Sequence, residues 1–275
     1  MIRIGRIEYA NCTPVFHALH KLYPASDYQY IVGVPSYLNS LLASCDIDVC
    51  PSSSITFSTH ADQFLILPDI SISSWGAVLS VLLFSSLPIH DLDGKTVLLS
   101  SESATSVNLL KILLQIRYGC DCSYQVTDQS DPSDLRGAAA LLLIGDAALR
   151  ASRVLPNMFV YDLGELWSDW TGEPFVFALW LTTRESFKNH GDELKRLSQQ
   201  LYHAKVYARE HLEHIVQVSP ERNWMGAELL LEYWRNNICY DLSEEHLAGL
   251  KRYFQLAVEA GLIVRVPEFV FLPTD

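Results

Sequence analysis

The chain has 275 residues, 49% of them hydrophobic and 19% charged, enough to enclose a sizeable core in one large or two medium α/β domains. Its formal charge of −12, with no cluster of Lys and Arg, argues against nucleic acid and anionic membrane surfaces as partners. The same charge gives an anionic ligand no long-range steering, so such a ligand has to be held by local dipoles: backbone N–H groups and hydroxyls.

The first third reads β-α-β. A strand is expected over 3–7, and Asn11-Cys-Thr-Pro14 turns the chain into a helix with Thr13 as N-cap and Pro14 at its first position. A second strand is expected over 30–34. Pro35-Ser36 opens a helix with Leu38, Leu41 and Leu42 on one face. A third strand, 47–50, ends in Pro51-Ser-Ser-Ser54, and strand-forming runs follow at 64–67 and 77–84. The strand expected over 95–99 continues as Ser100-Ser-Glu-Ser-Ala-Thr-Ser106 into a helix. That helix turns Val107, Leu110, Leu113 and Leu114 inward and stops near Gly119. A polar loop over 128–134 precedes a buried strand at 139–144, and Gly145-Asp146 starts another helix. Strands at 159–163 and 175–181 close this pattern. Beyond them the chain is helical, over 192–216, 225–234 and 244–260, the last stopped at Gly261.

Strands alternating with helices imply an α/β fold with mostly parallel sheets covered on both faces. The element order suggests two lobes. Residues 1–88 with 179–275 form the first, C-terminal helices included, and residues 89–178 form the second. The runs at 77–84 and 175–181 are the natural crossings, and two crossings make a hinge with a ligand cleft between the lobes. No apolar segment of secretory type precedes the first strand, and the longest apolar run, 77–84, is too short to span a bilayer. The protein is therefore expected to be soluble and cytoplasmic.

The six cysteines match neither a zinc site nor a Cys-x-x-Cys motif, and reduced, packed thiols are the expectation. His17 with His20 and His211 with His214 are three apart on helices, but no His-Glu-x-x-His pattern accompanies them. Gly-x-Gly-x-x-Gly, Walker and Gly-x-Ser-x-Gly motifs are absent. No metal and no cofactor are expected. Trp167, Trp170 and Trp180 flank the presumed return crossing as core or hinge packing.

Small hydroxyl and amide side chains gather where the apolar runs stop, which is where an α/β protein places a small polar ligand. Ser103, Thr105 and Ser106 stand at a helix start, where free N–H groups favour an anion; plain capping needs only one of the three. Ser53 and Ser54 end another strand and carry the same two readings. Ser80 lies inside an apolar run, where its hydroxyl needs a partner, either a ligand or a backbone carbonyl. Asn11 can donate and accept together, which suits it to orient a hydroxyl or carboxylate, or to make an Asx turn before Pro14. Asp146 fits ligand contact or N-capping.

Seven strings in this order resemble the chorismate dehydratase family of the futalosine route to menaquinone. They are Arg3-Ile-Gly-Arg-Ile7, Gly33-Val-Pro-Ser-Tyr-Leu-Asn39, Ser53-Ser-Ile55, Leu67-Pro-Asp-Ile-Ser-Ile-Ser73, Ser103-Ala-Thr-Ser106, Ile144-Gly-Asp146 and Trp170-Thr-Gly-Glu-Pro-Phe-Val-Phe-Ala178. The match runs from residue 1 to about 182 and continues more loosely through Tyr233-Trp-Arg235 and Gly261-Leu-Ile-Val264. Thr56-Phe57 departs from the family's acidic residue and Tyr, and Glu173 from its common Leu. The resemblance implies a periplasmic-binding-protein type II fold, chorismate as the small-molecule substrate, and its conversion to 3-[(1-carboxyvinyl)oxy]benzoate and water.

Loss of the ring hydroxyl and the neighbouring ring proton makes an aromatic ring, so the step is downhill and asks for position and charge placement more than a strong base. On this reading the ring carboxylate rests on Ser103, Thr105 and Ser106, and Ser53, Ser54 and Ser80 bind from the other lobe or the hinge. Asn11 orients the reacting hydroxyl or the enolpyruvyl group. The substrate's side-chain carboxylate serves as base, with Asp146 as the fallback acid or base if burial raises its pKa. Two alternatives stand beside this reading. A dihydroxynaphthoate synthase-like enzyme of the same pathway would need a base such as His17. A non-catalytic small-anion-binding protein would show the same two-lobe outline.

Overall fold

The apolar runs of the sequence become ten strands among the described residues of the computed structural model, which are 1–24, 28–154 and 157–273. In chain order, β1 (Ile2–Arg6), α1 (Thr13–Leu22), β2 (Tyr28–Val32), α2 (Pro35–Ala43), β3 (Val49–Ser53), α3 (Ser54–Thr59) and the long β4 (Phe64–Ser74) lead to β5 (Val81–Ser85). Next come β6 (Thr96–Ser100), α4 (Ala104–Ile112), β7 (Ser123–Thr127), β8 (Ala140–Ile144), α5 (Gly145–Ala151), β9 (Phe159–Asp162), α6 (Leu163–Thr171) and β10 (Phe175–Thr183). Helices dominate the remainder: α7 (Arg184–Glu210), α8 (Leu212–Val218), α9 (Arg222–Met225), α10 (Ala227–Glu232) and α11 (Glu244–Glu259). None of these helices is long and apolar enough to cross a membrane.

The strands form two five-stranded sheets, ordered β2-β1-β3-β10-β4 and β7-β6-β8-β5-β9. Each is mixed rather than mostly parallel. β1 runs parallel to β2 and β3, and β6 parallel to β7 and β8. β10 lies antiparallel between β3 and β4, and β5 antiparallel between β8 and β9. The antiparallel strand in each sheet is the one that arrives from the other.

β5 bonds only within the second sheet, so residues 81–85 sit with that sheet and not with residues 1–74. β10 belongs to the first sheet from Phe175 onward. The crossings are therefore the segment 75–80 and helix α6. The expected strand over 77–84 loses its first residues because Gly76 and Leu79 take positive φ, 86° and 58°. That conformation interrupts an extended strand and is unusual for a leucine. Asp162 holds it in place. Its carboxylate accepts the Val78 and Leu79 N–H groups at 3.0 and 2.6 Å, and caps α6 through those of Gly164 and Glu165 at 2.8 and 3.1 Å.

Other boundaries moved for local reasons. Helix α1 has Cys12 at its N-cap, and the Thr13 hydroxyl instead donates to Glu221 Oε1 at 2.5 Å. The helix expected over 192–216 starts at Arg184, bends at His190 and breaks at His211. The β7 residues Ser-Tyr-Gln-Val-Thr are largely polar and form an edge, so no buried alternation marked them.

The first sheet buries Ile4, Val49 and Leu179 against a helical layer that includes Leu19 of α1 and Leu194, Leu197 and Leu201 of α7. Each such side chain contributes about 1.5–3 kcal/mol by leaving water. Trp167 of α6, Phe175 of β10 and Tyr253 of α11 form an aromatic cluster at the second crossing. Trp167 and Phe175 have ring centroids 5.1 Å apart, and Phe175 and Tyr253 5.0 Å. Trp167 and Trp180 are core residues, as their positions suggested.

Arg3 and Asp48 fasten β1 to the chain entering β3. Two guanidinium N–H groups and the Arg3 amide donate to the buried Asp48 carboxylate at 2.8–3.0 Å, and the Ser186 hydroxyl donates at 3.1 Å. Burial alone would raise the Asp48 carboxyl, but Arg3 outweighs it and holds the group below the usual carboxylate range. A depressed folded pKa stabilises the fold above the unfolded value and loses that contribution as pH falls through the folded one. Asp48→Asn is therefore expected to lower stability at pH 7 by about 2 kcal/mol and to flatten the acid limb below about pH 4. Urea midpoints of both proteins at pH 7 and pH 3 check this; an equal gap at both pH values would refute it.

Candidate active site

Two parallel strands from each sheet end around one cavity. β1 delivers the turn 7–12, β3 ends at Ser53, β6 leads to Ser103 through residues 101–102, and β8 ends at Ile144 and Gly145. A cavity with about 540 Å³ of non-atom space, its open mouth included, lies between these ends.

Its polar wall is built from neutral groups. Asn11, Ser53, Ser80, Ser103 and Ser106 line it, with Ile7, Ile72, Val78, Val81 and Phe177 as apolar surface. No Asp, Glu, His, Lys or Arg is among the described lining residues. Tyr9 and Cys12 are the titratable ones, and burial pushes the phenol and the thiol well above their ordinary ranges. At neutral pH the cavity thus offers hydroxyls, amides and a protonated thiol.

Asn11 carries the strongest pointer to a ligand, because its Oδ1 is buried and has no hydrogen-bond partner. An orphaned buried acceptor is rare in a native protein and is satisfied when a ligand donates to it. The backbone around it is fixed from three sides. Ala10 donates its N–H to Asp146 at 2.9 Å, Trp234 Nε1 donates to the Ala10 carbonyl at 2.7 Å, and the Tyr240 hydroxyl donates to the Asn11 carbonyl at 2.8 Å.

Ser103 caps α4. Its Oγ accepts the Ser106 N–H at 3.3 Å and lies 3.0 Å from the Ser106 hydroxyl. Capping and cavity lining therefore coincide. Ser80 is buried; its carbonyl accepts the Gly145 N–H at 2.7 Å, and its hydroxyl reaches the Val78 carbonyl only at 3.4 Å.

Three expected site residues fall outside the lining. Ser54 and Thr105 bond across the two sheets beside the cavity: their hydroxyls are 3.3 Å apart, and Thr105 Oγ1 accepts the Ile55 N–H at 3.2 Å. Asp146 lies behind the 7–12 turn, in a separate depression with Arg6, Arg150, Glu221 and Trp224. Burial raises its carboxyl, the Ala10 N–H partly offsets this, and the Glu221 carboxylate adds to the rise. Asp146 turned away because its oxygen serves the Ala10 amide. His17 is also off the cavity; its ring lies 6.5 Å from that of His214, and burial lowers its pKa. Tyr9, Cys12 and Phe177 were not singled out in the sequence, since nothing in their spacing separates a cavity wall from core. The cysteines are free thiols, and no group of three or more metal-ligating side chains occurs among the described residues.

Comparison with known proteins places this geometry. A chorismate dehydratase from Thermus thermophilus is 33% identical over 266 residues, covering 91% of this chain and 93% of that protein. Among solved structures, a protein from Archaeoglobus fulgidus superposes with a TM-score of 0.69 at 17% identity, covering 95% of this chain and 98% of that one. The periplasmic aliphatic sulphonate binding protein of Escherichia coli gives 0.66 at 17% identity, covering 97% and 89%. A Candida albicans protein described as having the generic periplasmic binding protein fold gives 0.66 at 14% identity, covering 100% and 98%. These structures show the fold, which is the α/β periplasmic-binding-protein type expected from the sequence. The profile of the menaquinone biosynthesis family matches residues 2–259, and with it the chain belongs to that family.

Proposed function

We propose that this protein is a chorismate dehydratase, a hydro-lyase that eliminates water from chorismate to give 3-[(1-carboxyvinyl)oxy]benzoate. The observation that carries the reading is a cavity of neutral donors without a side chain that ionises near pH 7. Such a wall can bind an anion through hydroxyls and N–H groups but supplies no base of its own. Chorismate brings one, because its enolpyruvyl carboxylate can reach the proton on the ring carbon that bears the ether.

In the step, that carboxylate takes the ring proton, the C–H electron pair becomes the new ring double bond, and the neighbouring C–O bond breaks. The departing hydroxide takes up the proton that the carboxylate removed and leaves as water, which restores the carboxylate. Asn11 accepts the reacting hydroxyl at its unpartnered Oδ1 and so fixes the leaving group. Ser103 and Ser106 hold the ring carboxylate near the α4 N-terminus, where unpaired N–H groups favour negative charge. Ser53 and Ser80 bind from the facing wall. Asp146, Ser54 and Thr105 support the site from behind.

The two sheets act as two lobes that meet around the substrate, residues 1–74 with 175–275 on one side and 81–162 on the other. Closure keeps water from the reactive diene. Incubation of the purified protein with chorismate, followed by mass and ultraviolet spectroscopy, tests the function. Loss of one water and a benzoate spectrum are expected. Folded protein that binds chorismate in a calorimeter and leaves it unchanged would sink the enzyme reading in favour of a binding protein.

A further inference from the structure

We propose that Tyr9 and Glu102 form a latch that holds the two walls of the cavity at their working distance, making them positioning residues for the reaction. The Tyr9 hydroxyl donates to Glu102 Oε2 at 2.8 Å, a bond between residues 93 apart in the chain. Tyr9 comes from the turn after β1, in the first sheet's part of the molecule. Glu102 comes from the link between β6 and α4, in the second sheet's part.

The bond spans the two walls, as those of Ala10 to Asp146 and Ser54 to Thr105 do nearby, and it is the one that joins the Asn11 turn to the residue before Ser103. Tyr9 is two residues before Asn11, and its carbonyl accepts the Cys12 N–H at 2.9 Å, so the ring and the Asn11 amide share one tight turn. Glu102 immediately precedes Ser103, the N-cap that lines the opposite wall with Ser106. Making the bond therefore brings the Asn11 turn and the Ser103–Ser106 segment to a fixed separation. A second contact sets the tilt of the Tyr9 ring. Gly145 has φ of 59°, and a Cβ there would lie 2.8–3.1 Å from three Tyr9 ring carbons. The ring rests on bare backbone at the end of β8.

The bond also accounts for a charge. Glu102 is an anionic side chain beside a cavity read as taking a dianion. Its carboxylate is bonded to Tyr9, and Glu102 is not among the residues that line the cavity. A hydrogen bond to a charged group is one of the stronger single contacts a protein makes, so removing either partner should be felt at the closing step.

This inference rests on the dehydratase reading for its kinetic test and is independent of that reading in its structural test. The variants are Tyr9→Phe, which keeps the ring on Gly145, Glu102→Ala, the double variant, and Glu102→Gln, which keeps an acceptor oxygen. With chorismate as probe, kcat/KM is expected to fall about ten-fold in Tyr9→Phe and in Glu102→Ala, and no further in the double variant. Glu102→Gln is expected to recover most of the loss. Small-angle X-ray scattering of the ligand-free proteins should give a larger radius of gyration for the latch-broken variants than for the parent. Additive losses in the double variant, or an unchanged radius of gyration, would overturn the latch. If the parent protein leaves chorismate untouched, the functional reading fails, and the scattering comparison still decides the latch.

Discussion

Replacing Asn11 with alanine is expected to lower kcat for chorismate dehydration by about 100- to 1,000-fold while leaving the fold intact. An acceptor that holds the reacting hydroxyl acts by orientation, and misplacing a reacting group by about 1 Å costs on the order of 100-fold or more. In the free protein the buried Asn11 Oδ1 has no partner, and a donor on a ligand in the cavity that Asn11 lines would supply one. The turn does not depend on the amide side chain. It is held through the Ala10 N–H and carbonyl and the Asn11 carbonyl, all of which alanine retains. The thermal midpoint should therefore stay close to that of the parent, and the loss should appear in kcat more than in KM. Asp146→Asn is the matched comparison. It keeps an acceptor for the Ala10 amide, removes the charge and does not face the cavity, so turnover within a few-fold of the parent is expected. Full activity in Asn11→Ala, or its collapse in Asp146→Asn, would exchange the roles of the two residues.

Asp162→Ala is expected to have the largest effect on stability, about 3–5 kcal/mol, read as a shift in the urea midpoint with the slope unchanged. The carboxylate is 7% exposed and accepts four backbone N–H groups, two from the crossing segment and two from the start of α6. Alanine leaves all four donors without their partner, those of Val78 and Gly164 in buried positions. It also releases Leu79 from its left-handed conformation, which nothing in its own side chain favours. The segment it releases carries Val78 and Ser80, both in the cavity wall. Activity per folded molecule should therefore fall along with stability. Asp162→Asn should be milder, since one oxygen remains while the amide NH2 opposes the other donors. A loss below about 1 kcal/mol in Asp162→Ala would show that water replaces the carboxylate at little cost.

The same crossing shows where reading from the chain stopped. Ala77 to Phe84 is a strand by composition, and its second half is one. Its first half is bent by two hydrogen bonds to a residue 83 or 84 positions away, and no local preference announces that. Asp162 is the N-cap of α6, a local role. Capping accounts for two of its four bonds. The hydroxyls at strand ends were legible because capping and anion binding both require them there. Five of the eight expected site residues line the cavity for that reason: Asn11, Ser53, Ser80, Ser103 and Ser106.

The sequence by itself determined the α/β class, most of the strands and helices, the family, and the strand ends around which a small polar ligand could sit. These follow from periodicity, caps and turn residues, which act over a few positions, and from motifs that survive as strings. Only the tertiary structure decided which way each polar group faces. Asp146 and Asn11 both follow strand ends, yet one serves a neighbouring amide while the other lines the cavity with its amide oxygen unpartnered. Likewise only the fold joined Tyr9 to Glu102 and Asp162 to Leu79. The physical reason is the same in each case. A buried polar group must find a partner, and that partner is supplied by whichever distant segment the packing of two sheets brings within 3 Å.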